Sequence, residues 1–221
     1  MDIFELMKSR HSVRQFQEKA IAPEVRQQLD AYAAELNASS GLHMQVVYDE
    51  PECFGTRLAH YGRFENARNY ISLVGRKSAD LDELCGYYGE LMVLKAQELG
   101  LNTCWVALTH GKSHAVVADG ERETIVIALG YGVSQGTARR SKTMQQVSNA
   151  TANSPQWFIR GVEAAMLAPT AMNQQKFKFV LSDKGVEVKT PLLGAYLKLD
   201  CGIVKCHFEL VAGKENFTFV K

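Results

Sequence analysis

Two helix openings marked by proline, Ala22-Pro23 and Ser154-Pro155, place their prolines 132 positions apart, and the segments after each come in the same order. Proline suits the start of a helix because the N–H it lacks would have no intrahelical acceptor there. The first helix is predicted to run from Pro23 to about Leu36 and the second from Pro155 to about Leu167. A short polar turn comes after each: Asn37-Ala38-Ser39-Ser40-Gly41 in one case, Ala168-Pro169-Thr170-Ala171-Met172-Asn173 in the other. A strand and a short hairpin come next, then a late helix, Leu91–Gly100 and Gly202–Ala212. The recurrence points to two αβ halves, although any two αβ units share such an order, so order alone leaves a duplication open. Between them, residues 134–154 are rich in Ser, Gln, Thr, Asn and basic residues and poor in large aliphatics, which marks a connector. The halves are therefore expected at 1–140 and 141–221.

Elsewhere the pattern predicts a short helix over residues 2–8 and strands at Met44–Tyr48, Asn69–Gly75 and Phe177–Leu181. One long helix is expected from Leu81 to Leu99, closed by Gly100 in a left-handed cap. Leu101–Leu108 is read as leading into a loop, and Glu123–Leu129 as a buried strand ending at Gly130-Tyr131-Gly132. Apolar runs such as Ile125–Leu129 fall far short of the roughly 20 residues that span a bilayer, so no membrane helix is expected. With 25 Lys+Arg against 24 Asp+Glu the net charge is +1, which gives no global field to attract nucleic acid. The opening residues, Met1 to Lys8, carry acids where a secretory signal would be basic, and a cytoplasmic protein is expected. Five cysteines, with no Cys-x-x-Cys pair, read as reduced and mostly buried thiols.

Two segments could carry chemistry. Arg10-His11-Ser12-Val13-Arg14-Gln15-Phe16 gathers two guanidinium groups, an imidazole and a hydroxyl just after a helix. Arginine offers a planar fork of donors to phosphate oxygens and serine adds a short neutral one. On charge alone, a solvated basic turn is the commoner use of such residues. The second segment, Ala168 to Phe177, joins an apolar helix to a strand. Pro169 fixes one torsion, and Thr170 and Asn173 can bond nearby backbone, so the turn could present amides and dipoles to a flat heterocycle; the plain alternative is an ordinary helix-to-strand turn. His43, His60, His110 and His114 have no metal-ligand spacing, so no metal is assigned, and His207 reads as a satisfied core histidine. Gly130-Tyr131-Gly132 lacks the further glycine and the strand-to-helix context of a dinucleotide fingerprint.

Taken with Gly100-Leu101-Asn102-Thr103-Cys104-Trp105-Val106, these segments resemble the nitroreductase family of FMN flavoproteins. The family's Arg-(Arg/His)-Ser-x-(Arg/Lys)-x-Phe turn is matched by Arg10 to Phe16. Its Ala-Pro-Ser/Thr-x-x-Asn-x-Gln-Pro-Trp turn is matched at Ala168 to Asn173 and Gln175, with Lys176 and Phe177 in place of the Pro-Trp pair. Its Gly-Leu-Gly-x-x-Trp segment is matched at Gly100, Leu101 and Trp105. The Pro-Thr turn stands in the second half, where the usual family has it soon after the basic turn. That late position resembles a subgroup in which two nitroreductase-like halves are fused in one chain, in imitation of the family's homodimer.

The resemblance implies an α+β, nitroreductase-like fold: two pseudo-twofold related αβ halves around mainly antiparallel sheets. It implies FMN as cofactor, with Arg10 on the phosphate and His11 and Ser12 completing that turn. Arg14 would lie at the pyrimidine edge, where a fixed cation stabilises the charge of the reduced ring. Pro169, Thr170, Ala171 and Asn173 would approach the ring from the other half. Trp105 to Leu108 resemble the segment near flavin N5, with Leu108 as its contact residue and the Trp105 side chain read as core. Arg140 and Lys142 are second-rank phosphate contacts, in a run that also reads as a solvated linker. The implied activity takes hydride from NADH or NADPH and reduces an electron-poor small molecule such as a nitroaromatic or quinone. A flavin-binding sensor or carrier without turnover is the alternative, and an α/β interaction module with no flavin a third. At the proline offset, Arg10, Ser12 and Arg14 correspond to Lys142, Met144 and Gln146, so one flavin per chain is expected, in a protein whose fused halves let it be monomeric.

Overall fold

The computed structural model describes residues 2–220. In chain order the helices are α1 (Ile3–Ser9), α2 (Pro23–Ser40), α3 (Arg57–Tyr61), α4 (Leu81–Glu98), α5 (Met144–Val147), α6 (Gln156–Ala165) and α7 (Leu197–Ala212). The strands are β1 (Gln45–Val47), β2 (Asn69–Arg76), β3 (Asn102–Val106), β4 (Glu121–Gly130), β5 (Lys178–Ser182), β6 (Gly185–Lys189) and β7 (Phe219–Val220). The chain forms two compact units, each drawn from separate stretches. One takes Ser9–Leu81 and Leu91–Ala138; the other takes the residues up to Lys8, Asp82–Glu90, and everything from Arg139 on.

The Ser9–Ala138 unit is built on a four-stranded antiparallel sheet in the order β1-β2-β4-β3. β2 and β4 are its middle strands, and their aliphatic runs are buried on both faces: Ile71, Leu73, Val74, Val126 and Ile127 are almost wholly enclosed. Each such side chain stabilises the fold by about 1.5–3 kcal/mol through removal from water. Phe16, Phe54, Phe64 and Tyr70 fill the adjoining core with Cys53 and Cys104.

Two sequence expectations are corrected in this unit. Leu101–Leu108 was expected to lead into a loop, but Asn102–Val106 is an edge strand running from Asn102 opposite Gly130 to Val106 opposite Val126. Thr103, Trp105 and Val106 favour extended backbone, and the pairing covers β4, which would otherwise be an open edge. The polar run Asn37-Ala38-Ser39-Ser40 is not a turn but the last turn of α2. The Ser39 and Ser40 hydroxyls donate back to the Leu36 carbonyl, Asn37 bonds both the N–H and the C=O of Met44, and Gly41 closes the helix at φ +71°. Polar composition signalled a break where the side chains instead serve the helix end.

In the other unit, α6 and α7 pack beside a three-stranded sheet, β5-β6-β7, whose first pair is antiparallel and second parallel. Phe208 of α7 is the hub: it stacks on Phe179 at 4.6 Å and meets Phe158, Phe217 and Phe219 at ring distances of 5.0–5.9 Å. The first turns of α4 cross α7 at Gly86 and Gly202. There the buried His207 ring, as the sequence suggested, is satisfied: Nδ1 lies 3.0 Å from the Ala164 carbonyl and Nε2 2.8 Å from Glu90. The connector is not featureless, since Thr143 and Gln146 form a reciprocal capping box on α5. The prolines are also not equivalent. Pro23 is the first helical residue of α2, whereas Pro155 precedes α6 in the place Ala22 holds. All five cysteines are free and buried.

Candidate functional site

The basic turn is laid down as extended chain stitched to the Ser9–Ala138 unit by its backbone. Val13 N–H donates to the Thr103 carbonyl, Glu65 N–H to the Arg14 carbonyl, Phe16 N–H to the Glu65 carbonyl, and Val133 N–H to the Gln15 carbonyl, all at 2.9–3.0 Å. Apolar Val13 and Phe16 point inward, and alternation turns Ser12 and Arg14 to the surface. Arg10 breaks that alternation, being only 2% exposed. The charge of this turn is felt at one buried thiol, Cys104. Burial pushes Cys104 up, while Arg14, the Ser12 hydroxyl and Arg10 each pull its pKa down. Gly136, at φ +77°, lies against this turn, and a Cβ there would fall 2.7 Å from the His11 Cβ. Two guanidinium groups and a hydroxyl in one short turn are donor types suited to a phosphate monoester. Leu108 lies just past β3 and is exposed, and Trp105 is half-buried instead of the core residue expected.

The Pro169 turn belongs to the other unit and is held differently. α6 ends before it, and Arg139 Nη2 donates to the Met166 and Ala168 carbonyls at 3.0 and 2.6 Å, capping the helix with a cation at its negative end. Pro169 is buried and Thr170 half-buried. The Thr170 hydroxyl accepts the Gln175 N–H at 3.0 Å. Asn173, expected to face the ring, has its side chain engaged with the turn itself: Nδ2 donates to the Arg140 carbonyl and Oδ1 accepts from Gln175. Lys142 is also engaged, its Nζ donating to the Gln175 carbonyl at 2.7 Å, while the Arg140 side chain is exposed. The sequence-predicted residues thus form two groups, Arg10 to Arg14 in one unit and Arg140, Lys142 and Pro169 to Asn173 in the other.

Sequence reasoning missed the residues that shape the second turn. Asp200 of α7 accepts from the Ala171 N–H at 3.0 and 3.2 Å and from Gln174 Nε2 at 2.8 Å, and it is 5% exposed. Burial pushes its carboxyl up to about 6, against the pull of Gln174 and Ala171. The signal was an acid set among Leu197, Leu199 and Cys201, all of which are buried. Gln175 is buried as well and binds both the Arg140 carbonyl and the Lys142 N–H. Away from both turns, Glu50, Glu52 and His114 come within 4.8 Å of one another. Glu50 there already accepts the Glu52 and Cys53 amides.

Comparison with known proteins supplies a family. Among solved structures, one described as a putative nitroreductase from Thermotoga maritima superposes with a TM-score of 0.69 at 22% identity, covering 96% of this chain and 83% of the other. A putative nitroreductase in complex with FMN from Desulfovibrio desulfuricans gives 0.53 at 17% identity, over 70% and 98% of the two chains. A putative NADH dehydrogenase/NAD(P)H nitroreductase from Parabacteroides distasonis gives 0.52 at 18% identity, over 70% and 99%. These likenesses establish a nitroreductase-like α+β fold. No curated protein matches by sequence. The family model described as "Putative TM nitroreductase" matches residues 2–212, nearly the whole chain, and the protein therefore belongs to that nitroreductase family.

Proposed function

We propose that this protein is an FMN-dependent oxidoreductase that accepts hydride from NADH or NADPH and reduces an electron-poor small molecule, such as a nitroaromatic or quinone. The observation that carries the reading is the nitroreductase family match over residues 2–212; Arg10, Ser12 and Arg14, gathered in one short turn with the donor types a phosphate takes, support it. FMN, when bound, supplies the redox chemistry, so no protein nucleophile or acid/base pair is required. Arg10 and Ser12, with His11, hold the phosphate. Arg14 offers a fixed positive charge to the pyrimidine edge of the ring. The Thr170 hydroxyl offers its proton to the ring, and Pro169, Ala171 and the Asn173 backbone give the ring a rigid wall. Leu108 contributes surface beyond β3, and Arg140 is free to add charge, whereas the Lys142 ammonium has first to leave the Gln175 carbonyl. We further propose that the chain is a fusion of two nitroreductase-like halves carrying one flavin in all. With the starts of α2 and α6 set in register, Arg10, Ser12 and Arg14 fall opposite Thr143, Gln145 and Val147, which cannot bind a phosphate as arginines do.

The visible spectrum of freshly purified protein, with mass analysis of the released cofactor, tests the reading. FMN is expected; FAD alone, or no uptake from excess FMN, would overturn it. Steady-state oxidation of NADH and NADPH with added acceptors then separates an enzyme from a flavin carrier.

A further inference from the structure

The Pro169 turn is strained in a way its sequence does not demand. Seven non-glycine residues have left-handed φ angles among the described residues, and three of them, Met172 (φ 49°), Asn173 (φ 53°) and Gln175 (φ 46°), fall within four positions. Asparagine tolerates this region; methionine and glutamine do so at a cost. Met172 gains no burial in return, being 90% exposed. A strained, exposed segment persists only if its surroundings over-determine it, and such segments gather at functional sites.

Several bonds over-determine this one: the Thr170 hydroxyl takes the Gln175 N–H, the Arg140 carbonyl takes the Asn173 and Gln175 side chains, and one buried carboxylate ties the entry of the turn to its exit. Asp200 takes the Ala171 N–H at the entry to the turn and the Gln174 carboxamide near its exit, so it brackets Met172 and Asn173 from both sides. Gln174 also donates to the Ala195 carbonyl, and the Asp200 N–H donates to the carbonyl of Tyr196, itself left-handed at φ 59°. Both groups that hold the Asp200 carboxylate are uncharged, and burial raises its pKa to about 6, so the ionised form is costly where it stands. Asparagine would fill the same volume without that cost, but it brings an N–H₂ against donors that both need an oxygen.

We propose that Asp200 is a positioning residue of the cofactor-facing turn: its carboxylate, bonded on either side of Met172 and Asn173, holds those two residues in the left-handed form in which the turn meets the flavin ring. This rests on the FMN reading above. Asp200 touches no reacting atom; it acts through Ala171 and Gln174.

The test compares wild type, Asp200→Asn and Asp200→Ala by titrating apoprotein with FMN, recording the bound-flavin absorption and fluorescence, and measuring Tm of the apoproteins. Expected are a rise in Kd of about tenfold for Asp200→Asn and more for Asp200→Ala, with a changed bound-flavin spectrum, while Asp200→Asn keeps or raises the apoprotein Tm. A glycine at 172 accepts positive φ without strain, so adding Met172→Gly to Asp200→Asn should recover at least threefold of the lost affinity. Variants that lower Tm yet leave Kd and spectrum as in wild type would overturn the proposal alone, and so would a double variant with no recovery. A wild-type protein that takes up no FMN would remove the FMN reading and the proposal together.

Discussion

Arg10 and Arg14 lie four residues apart and meet water quite differently. Arg10 is enclosed and Arg14 is exposed. A charge-assisted bond from an enclosed guanidinium contributes about 1.5–3 kcal/mol, so Arg10→Ala should weaken FMN binding by about one to two decades, as a titration of apoprotein would show. Arg14→Ala should cost little affinity for oxidised FMN and should lower the reduction potential of the bound flavin, because its proposed partner carries charge only when reduced. An unchanged potential would remove that role. Asp200 gives the residue scale a pH dependence with an unusual sign for an acid. Its pKa is raised on folding from 3.8 to about 6, so the fold binds this proton more tightly than the unfolded chain does. Its contribution is fully present below pH 3.8 and is lost as pH rises through 6, a decline of about 3 kcal/mol. Asp200→Asn should flatten that part of the stability–pH curve in urea melts. Arg10, Ser12 and Pro169 were legible in sequence because their types and order carry the chemistry. Asp200 was not, because its meaning lies in two donors 26 and 29 residues away.

At the scale of elements, the α4–α7 crossing sets the sharpest limits on substitution. A Cβ on Gly202 would overlap the Glu83 carbonyl oxygen, and one on Gly86 the Leu199 carbonyl oxygen, so backbone meets backbone with no flexible side chain to give way. Gly202→Ala should destabilise the protein by about 1–3 kcal/mol by forcing the helices apart, read as a lower denaturation midpoint. Along the same crossing, Glu90 and His207 are both 0% exposed and hydrogen-bonded to each other. Because the Ala164 carbonyl claims the proton on Nδ1, one further proton must lie between Nε2 and the carboxylate. His207→Leu removes the hydrogen bond that this buried carboxylate shares with Nε2 and should lower the denaturation midpoint, a loss part of which a Glu90→Leu/His207→Leu double variant should recover. Periodicity located α4, α6 and α7 but could not pair them. It reports which face of a helix is apolar, and the glycines that let two backbones approach look, in sequence, like weak points. The end of α2 misled for a related reason: Asn and Ser are turn formers unless their side chains bond back to the helix they close.

For the molecule as a whole, FMN titration with light scattering should give one flavin per chain and no dependence of binding on self-association; two per chain would count against the fused-halves proposal. The family was legible because three short motifs recur in the right kinds of place. Less legible was the way each compact unit is assembled, since Asp82–Glu90 belongs with the stretch from Arg139 on although it lies between Leu81 and Leu91 of the other unit. Composition cannot show this, because both units use the same apolar residues, and the exchange occurs inside one continuous helix. The division has a practical side as well. The chain has two tryptophans, and each unit owns one: Trp105 in β3, and Trp157 in α6, stacked on Phe217 at 5.7 Å. Their emission is therefore a built-in pair of optical gauges. Trp105→Phe leaves a protein whose fluorescence reports only the α6–α7 unit, and Trp157→Phe one that reports only the β-sheet unit, so the cooperativity of unfolding becomes a comparison of two curves with no dye attached.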